Sequence, residues 1–129
     1  NTWMQSALIV QNFPARVANF SNTSIKNFIC FRNQPLRSLN VSGTQIIELQ
    51  TLENYDLRAL NISHTSISNL TKLKNMPLTI LNISHSSVRD IGVLKDLSDL
   101  KKLTIHEGQI SAEDLKRLDP QIKILITRD

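Results

Sequence analysis

At 129 residues, 40% of them hydrophobic and 20% charged, the chain has the balance of one ordinary globular domain. Its net charge of +4 is mild, enough for solubility or for an acidic partner, and argues against nucleic acid as the partner. No apolar run approaches the ~20 residues needed to span a bilayer, and the lone cysteine, Cys30, excludes an internal disulfide.

The first segment, residues 1–14, reads in two ways. Thr2 and Gln5 have capping-box spacing, and Trp3, Ala7 and Val10 fall near one face, which predicts a helical cap. Met4, Ala7 and Val10 also sit where a repeat would place them, which predicts a truncated repeat. No basic stretch leads into an apolar one with a cleavage site, and a chain that opens on Asn1 is read as cut from something longer. Cys30, a little further on, is expected to be a buried, inert thiol.

From residue 15 the chain repeats. Leu36, Leu57, Leu78 and Leu100 begin equivalent triplets at intervals of 21, 21 and 22 residues. Stepping back reaches Ala15, and stepping on reaches Gln121, which opens a degenerate copy. The units are therefore 15–35, 36–56, 57–77, 78–99 and 100–119, with 120–129 as a closing strand. Counting positions from the start of each unit, apolar residues recur in fixed columns. The fourth column runs Ala18, Leu39, Leu60, Leu81, Leu103, Ile124, and the sixth runs Phe20, Val41, Ile62, Ile83, Ile105, Ile126. The eleventh holds Ile25, Ile46, Ile67, Val88 and Ile110. Phe28, Leu49, Leu70, Ile91 and then Phe31, Leu52, Leu73, Leu94 make two more.

The period changes within each unit. Alternation around Leu39, Asn40 and Val41 predicts a short strand, and the three-residue spacing of Ile67, Leu70 and Leu73 predicts a 3₁₀ turn. A single unit cannot bury its own apolar face, so the units must stack, strand beside strand, in a right-handed coil. In the ninth column Thr23, Thr44, Thr65 and Ser86 are expected to bond the adjacent turn through their hydroxyls. Glu107 and Gly108 break the pattern in the fifth unit. Ser111 and Asp114 have capping spacing for a helix through Leu118, Pro120 ends it, and Ile122 to Ile126 supply the closing strand.

Over residues 15–127 these columns resemble the leucine-rich repeats. The resemblance implies an α/β right-handed solenoid, with a parallel sheet on the concave face and 3₁₀ or short helical segments on the convex face. The ninth column departs from the family, which usually has Asn there. The phrases from Leu39 to Ile46, Leu60 to Ile67, Met76 to Leu81 and Leu94 to Leu97 look like the short repeats of planctomycete-like bacterial proteins. Such arrays accompany serine/threonine protein kinase domains, which implies a non-catalytic interaction module of a larger bacterial protein. Internalins are the next kin, so an internalin-like surface domain, or a spacer between domains, stands as the alternative. No kinase motif lies in the sequence itself.

The third, fifth and seventh columns are expected to point out from the concave face. They read Val17, Ser38, Ala59, Ile80, Lys102; then Asn19, Asn40, Asn61, Asn82, Thr104; then Ser21, Ser42, Ser63, Ser84, His106. Beside them the second column sets Arg16, Arg37 and Arg58 at strand spacing, a stripe for carboxylates. The candidate partner-binding residues are thus Arg37, Arg58, Ser38, Asn40, Asn61, Asn82, Ser42, Ser63, His64 and His85. The expected partner is a protein or peptide, acidic in character, received by a monomer. His64 and His85 have no third ligand at metal spacing, so neither metal nor cofactor is expected. Of six Asn-x-Ser/Thr triplets, four lie in expected strands, and duplication of the unit explains them better than glycosylation. The lone thiol leans toward the cytoplasm, although in a membrane-anchored protein the array would lie on either side of the bilayer.

Overall fold

A computed structural model describes residues 16–26, 35–49, 52 and 55–128. Residues 1–14 and Cys30, with Phe28 and Phe31 of the first unit, lie outside the described residues.

Six strands follow one another in sequence and in space: β1 (Val17–Asn19), β2 (Ser38–Asn40), β3 (Ala59–Asn61), β4 (Ile80–Asn82), β5 (Lys102–His106) and β6 (Lys123–Thr127). Every neighbouring pair is parallel, and Ala18, Leu39, Leu60, Leu81, Leu103 and Ile124 stand side by side across the sheet. The fourth column is therefore a row, as the repeat register requires. Strands β1 to β4 are only three residues long because the chain must turn at once toward the opposite side of the coil. That side carries 3₁₀ turns at Thr71–Leu73 and Gly92–Asp96. One α-helix, α1 (Ala112–Lys116), precedes β6; Ser111 caps it by accepting from Asp114 N at 3.2 Å. It ends two residues before the expected Leu118. The architecture is the expected leucine-rich-repeat solenoid.

The core follows the columns. Leu36, Leu57 and Leu78 are wholly buried and Leu100 nearly so. The fourth, sixth and eleventh columns are closed to solvent from β1 through β5. Tyr55, Met76 and Leu97 form one further layer, with Tyr55 packed against the edge of the core. Only in the last copy does the rule weaken: Ile126 is 50% exposed, because no further coil covers β6 among the described residues.

Two polar devices turn the chain after each strand. In the ninth column Thr23 Oγ1, Thr44 Oγ1, Thr65 Oγ1 and Ser86 Oγ donate to the carbonyls of Phe20, Val41, Ile62 and Ile83 at 2.6–2.7 Å. A hydroxyl thus satisfies a carbonyl that the turn would leave buried. The eighth column is left-handed: Asn22, Gly43, His64 and His85 have φ between 54° and 67°. Asn, His and Gly are the residue types that enter this region most readily.

Candidate binding face

The sheet presents its outward columns as rows. In the third column Val17 is 71% exposed and Ile80 45%, with Ser38 and Ala59 half-buried between them. Lys102 and Lys123 continue that row through β5 and β6. In the fifth, Asn19, Asn40, Asn61 and Asn82 lie partner to partner across β1 to β4.

The asparagines serve the turn as well as the surface. The Oδ1 atoms of Asn19, Asn40, Asn61 and Asn82 accept from the backbone N–H of Ser21, Ser42, Ser63 and Ser84 at 2.9–3.0 Å. Ser63 and Ser84 also donate their hydroxyls to Asn61 and Asn82, each at 2.7 Å. This differs from the expectation for the seventh column. Ser63 is 5% exposed and Ser84 3%, because their hydroxyls are drawn down onto the asparagine rather than out to solvent. Ser42, which has only the backbone bond, stays half-buried. The Asn-x-Ser triplet is the sequence signal for this turn, since a short Asn side chain readily accepts from the N–H two residues on.

Along the edge of the face, Arg16 and Arg58 are exposed and Arg37 is half-buried, its Nη1 donating to Leu36 O at 3.3 Å. Among the described residues none of these guanidiniums is in an ion pair; the pairs present are Arg117–Asp114 and Arg128–Glu107, each at 3.7 Å. Among the described residues these three positive groups therefore stand at strand spacing without a salt bridge.

His64 and His85 stack with ring centroids 4.5 Å apart and planes 9° apart, as their shared column and backbone require. His106 joins them at 4.0 Å from His85. Stacked rings keep their nitrogens in separate planes, so they do not converge on one ion. No group of three or more His, Cys, Asp or Glu among the described residues is placed to hold a metal. Below the stack Gln109, buried, reaches back into the preceding coil. Its Nε2 donates to Ile83 O at 2.8 Å and Val88 O at 3.1 Å, while Oε1 accepts from His106 N at 2.8 Å. Gln109 thus ties the fifth coil to the fourth, while the carbonyl of Ile105, which a ninth-column hydroxyl would satisfy, accepts from Thr127 Oγ1 at 3.2 Å. Sequence reasoning passed over Gln109 because it stands in the tenth column, where Gln45 and Ser87 are exposed.

Shallow cavities of about 340 Å³, beside His85, Arg89 and His106, and about 560 Å³, between the 3₁₀ turns near Asn69, Lys74 and Asp96, complete the surface. No helix among the described residues is long and apolar enough to cross a membrane.

Comparison with known proteins agrees with this geometry. A family model described as Leucine Rich repeat matches residues 74–95, which hold β4 and most of the 3₁₀ turn at Gly92–Asp96. No curated protein matches the sequence. The crystal structure of an internalin from Listeria monocytogenes aligns with 86% of this chain at 26% identity and a TM-score of 0.70. This chain spans 35% of that one, about a third of its length. Internalin C2 from the same organism aligns with 88% of this chain, and 80% of its own, at 17% identity, but its TM-score of 0.37 carries no argument. The matched unit falls on a coil whose register the sheet displays, and the internalin likeness extends over the coils around it: the chain has the fold of a leucine-rich-repeat solenoid.

Proposed function

We propose that this chain is a non-catalytic protein-interaction module that receives a protein or peptide on its concave sheet face. The observation that carries the reading is the row of outward residues, Val17, Ser38, Ala59 and Ile80, bordered by three arginines that take part in no ion pair among the described residues. Exposed aliphatic groups beside positive charge suit a partner with apolar and acidic side chains. Arg37, Arg58, Ser38, Asn40, Asn61, Asn82 and Ser42 would meet that partner directly. His64, His85 and the buried Ser63 lie at the margin where the strands turn away. A base would find no aromatic ring to stack on in the third and fifth columns, which weighs against nucleic acid.

The module works as a monomer within a larger bacterial protein. The internalin likeness supports a surface-binding role; the association with a kinase rests on the repeat phrases Leu39 to Ile46, Leu60 to Ile67, Met76 to Leu81 and Leu94 to Leu97 alone. The reading frame that encodes these residues separates the two, since a kinase domain and a secretion signal with a surface anchor are mutually distinguishable.

The interaction itself is tested by photo-crosslinking. A crosslinking side chain at Ser38 or Ala59 should capture a protein from the source organism, while the same group at Lys74 or Lys95, on the opposite surface, should not. Equal capture from both surfaces, or none from the sheet, removes the reading.

A further inference from the structure

At Asn61 and Asn82 the asparagine row presents hydrogen-bond donors only. Only oxygen can accept from an N–H, so the four serine N–H bonds fix the orientation of each side-chain amide. Asn61 and Asn82 receive a second donor, the serine hydroxyl, on the same oxygen. An amide oxygen has two lone pairs, and both are then occupied. What remains to Asn61 and Asn82 is the NH₂ group alone, while Asn19 and Asn40 offer the NH₂ group and one lone pair on Oδ1; among the described residues no acceptor lies on the Nδ2 of any of the four. Because the four residues are register partners, these groups stand about 4.8 Å apart in a line across the strands.

We infer that the concave face selects an acidic peptide laid across the strands, whose carboxylate and carbonyl oxygens are read by the amide NH₂ row of Asn19, Asn40, Asn61 and Asn82. This deepens the proposed function and rests on it. A row in which donors outnumber acceptors, and at Asn61 and Asn82 are all that is offered, is matched by acceptors, so it discriminates by chemistry as well as by charge. Arg16, Arg37 and Arg58, three positions earlier in each coil, add charge of the same preference on one side of the row. Lys102 and Lys123 extend it at the far end of the third column. Val17 and Ile80 provide aliphatic contact, which favours a peptide with apolar residues among its acids over a sugar acid or a phosphate polymer. Thr104 ends the row in the fifth coil, so the site spans the first four strands.

The test replaces donors by acceptors without disturbing the turn. In N40D/N82D each carboxylate still accepts from Ser42 N or Ser84 N, as the amide oxygen does, while the NH₂ becomes an oxygen. Asn61 stays between the two new charges and keeps them about 9.6 Å apart, roughly one Debye length. The probes are fluorescent octapeptides of Glu, Gln and Lys, read by anisotropy on the folded chain. Wild type should bind Glu best, Gln more weakly and Lys least. N40D/N82D should lose at least tenfold in affinity for the Glu peptide and gain for the Lys peptide, with an unchanged circular dichroism spectrum. Glu affinity within twofold of wild type overturns the inference. Should the double variant not fold, N61D alone carries the same comparison with a loss of at least threefold expected. A sulfated polysaccharide bound more tightly than the Glu peptide, and equally by N40D/N82D, also overturns it. Crosslinking from Ser38 and Ala59 that persists beside an unaltered Glu affinity leaves the module standing and the asparagine reading refuted, so the two failures are told apart.

Discussion

At Gly43 the backbone runs at φ 67°, and the space where a β-carbon would lie is taken by Asn22 Oδ1 from the preceding coil. His64 and His85 adopt nearly the same φ, so the backbone angle alone does not demand glycine in this column. The neighbour does. Gly43→Ala should therefore destabilise the chain by about 1–2 kcal/mol from the left-handed backbone, with a further loss from the Asn22 contact. Adding Asn22→Gly, which keeps the left-handed backbone of residue 22 without strain, should restore the contact part and leave the backbone part, which thermal unfolding of the single and double variants will read. The asparagines of the fifth column show how far single residues were legible. Their outward place followed from alternation, whereas the capture of Oδ1 by the serine two residues on depends on a turn that alternation does not describe. The same turn explains why Ser63 and Ser84, outward by count, are buried in fact.

Each strand–turn coil is too small to be stable by itself and is held by its neighbours. Apolar periodicity made this level readable almost throughout, since Leu36, Leu57 and Leu78 were placed by spacing and are wholly buried. The fifth coil was harder. Its strand runs on to His106 to pair with Thr127, and the left-handed residue becomes Gly108, at φ 78°. The hydroxyl bond to Ile105 O then comes from Thr127 on β6, while Gln109 accepts from His106 N and donates to carbonyls of the fourth coil. No period signals this arrangement, because the bonds come from a long amide in a different column and from a threonine on the next strand. Gln109→Leu keeps the volume and removes the amide. It should cost about 2 kcal/mol, chiefly from leaving His106 N buried without an acceptor, and the loss should appear as faster amide hydrogen exchange in β5 than in β3. Equal exchange in the two strands would show that the amide has no such role.

Over the whole molecule, charge and packing are kept on separate parts of the surface. The arginines of the second column contribute to no ion pair among the described residues, so their removal should be nearly neutral for folding. Arg37→Ala with Arg58→Ala should leave the unfolding midpoint within about 0.5 kcal/mol of wild type. It should weaken an acidic peptide severalfold and flatten the salt dependence of binding. A large stability loss with unaltered binding would reverse that assignment.

All of these rows exist only if successive coils stack in one register, and engineered disulfides measure that register directly. With Cys30 replaced by Ser, S38C/A59C places two cysteines on register partners of β2 and β3, about 4.8 Å apart and within disulfide reach. S38C/N61C shifts one of them by two residues, to roughly 8 Å, beyond reach without backbone movement. Mild oxidation should close the first pair quantitatively and leave the second as thiols. Closure of the second pair in preference to the first would contradict the stacking, and with it the face on which the function is placed.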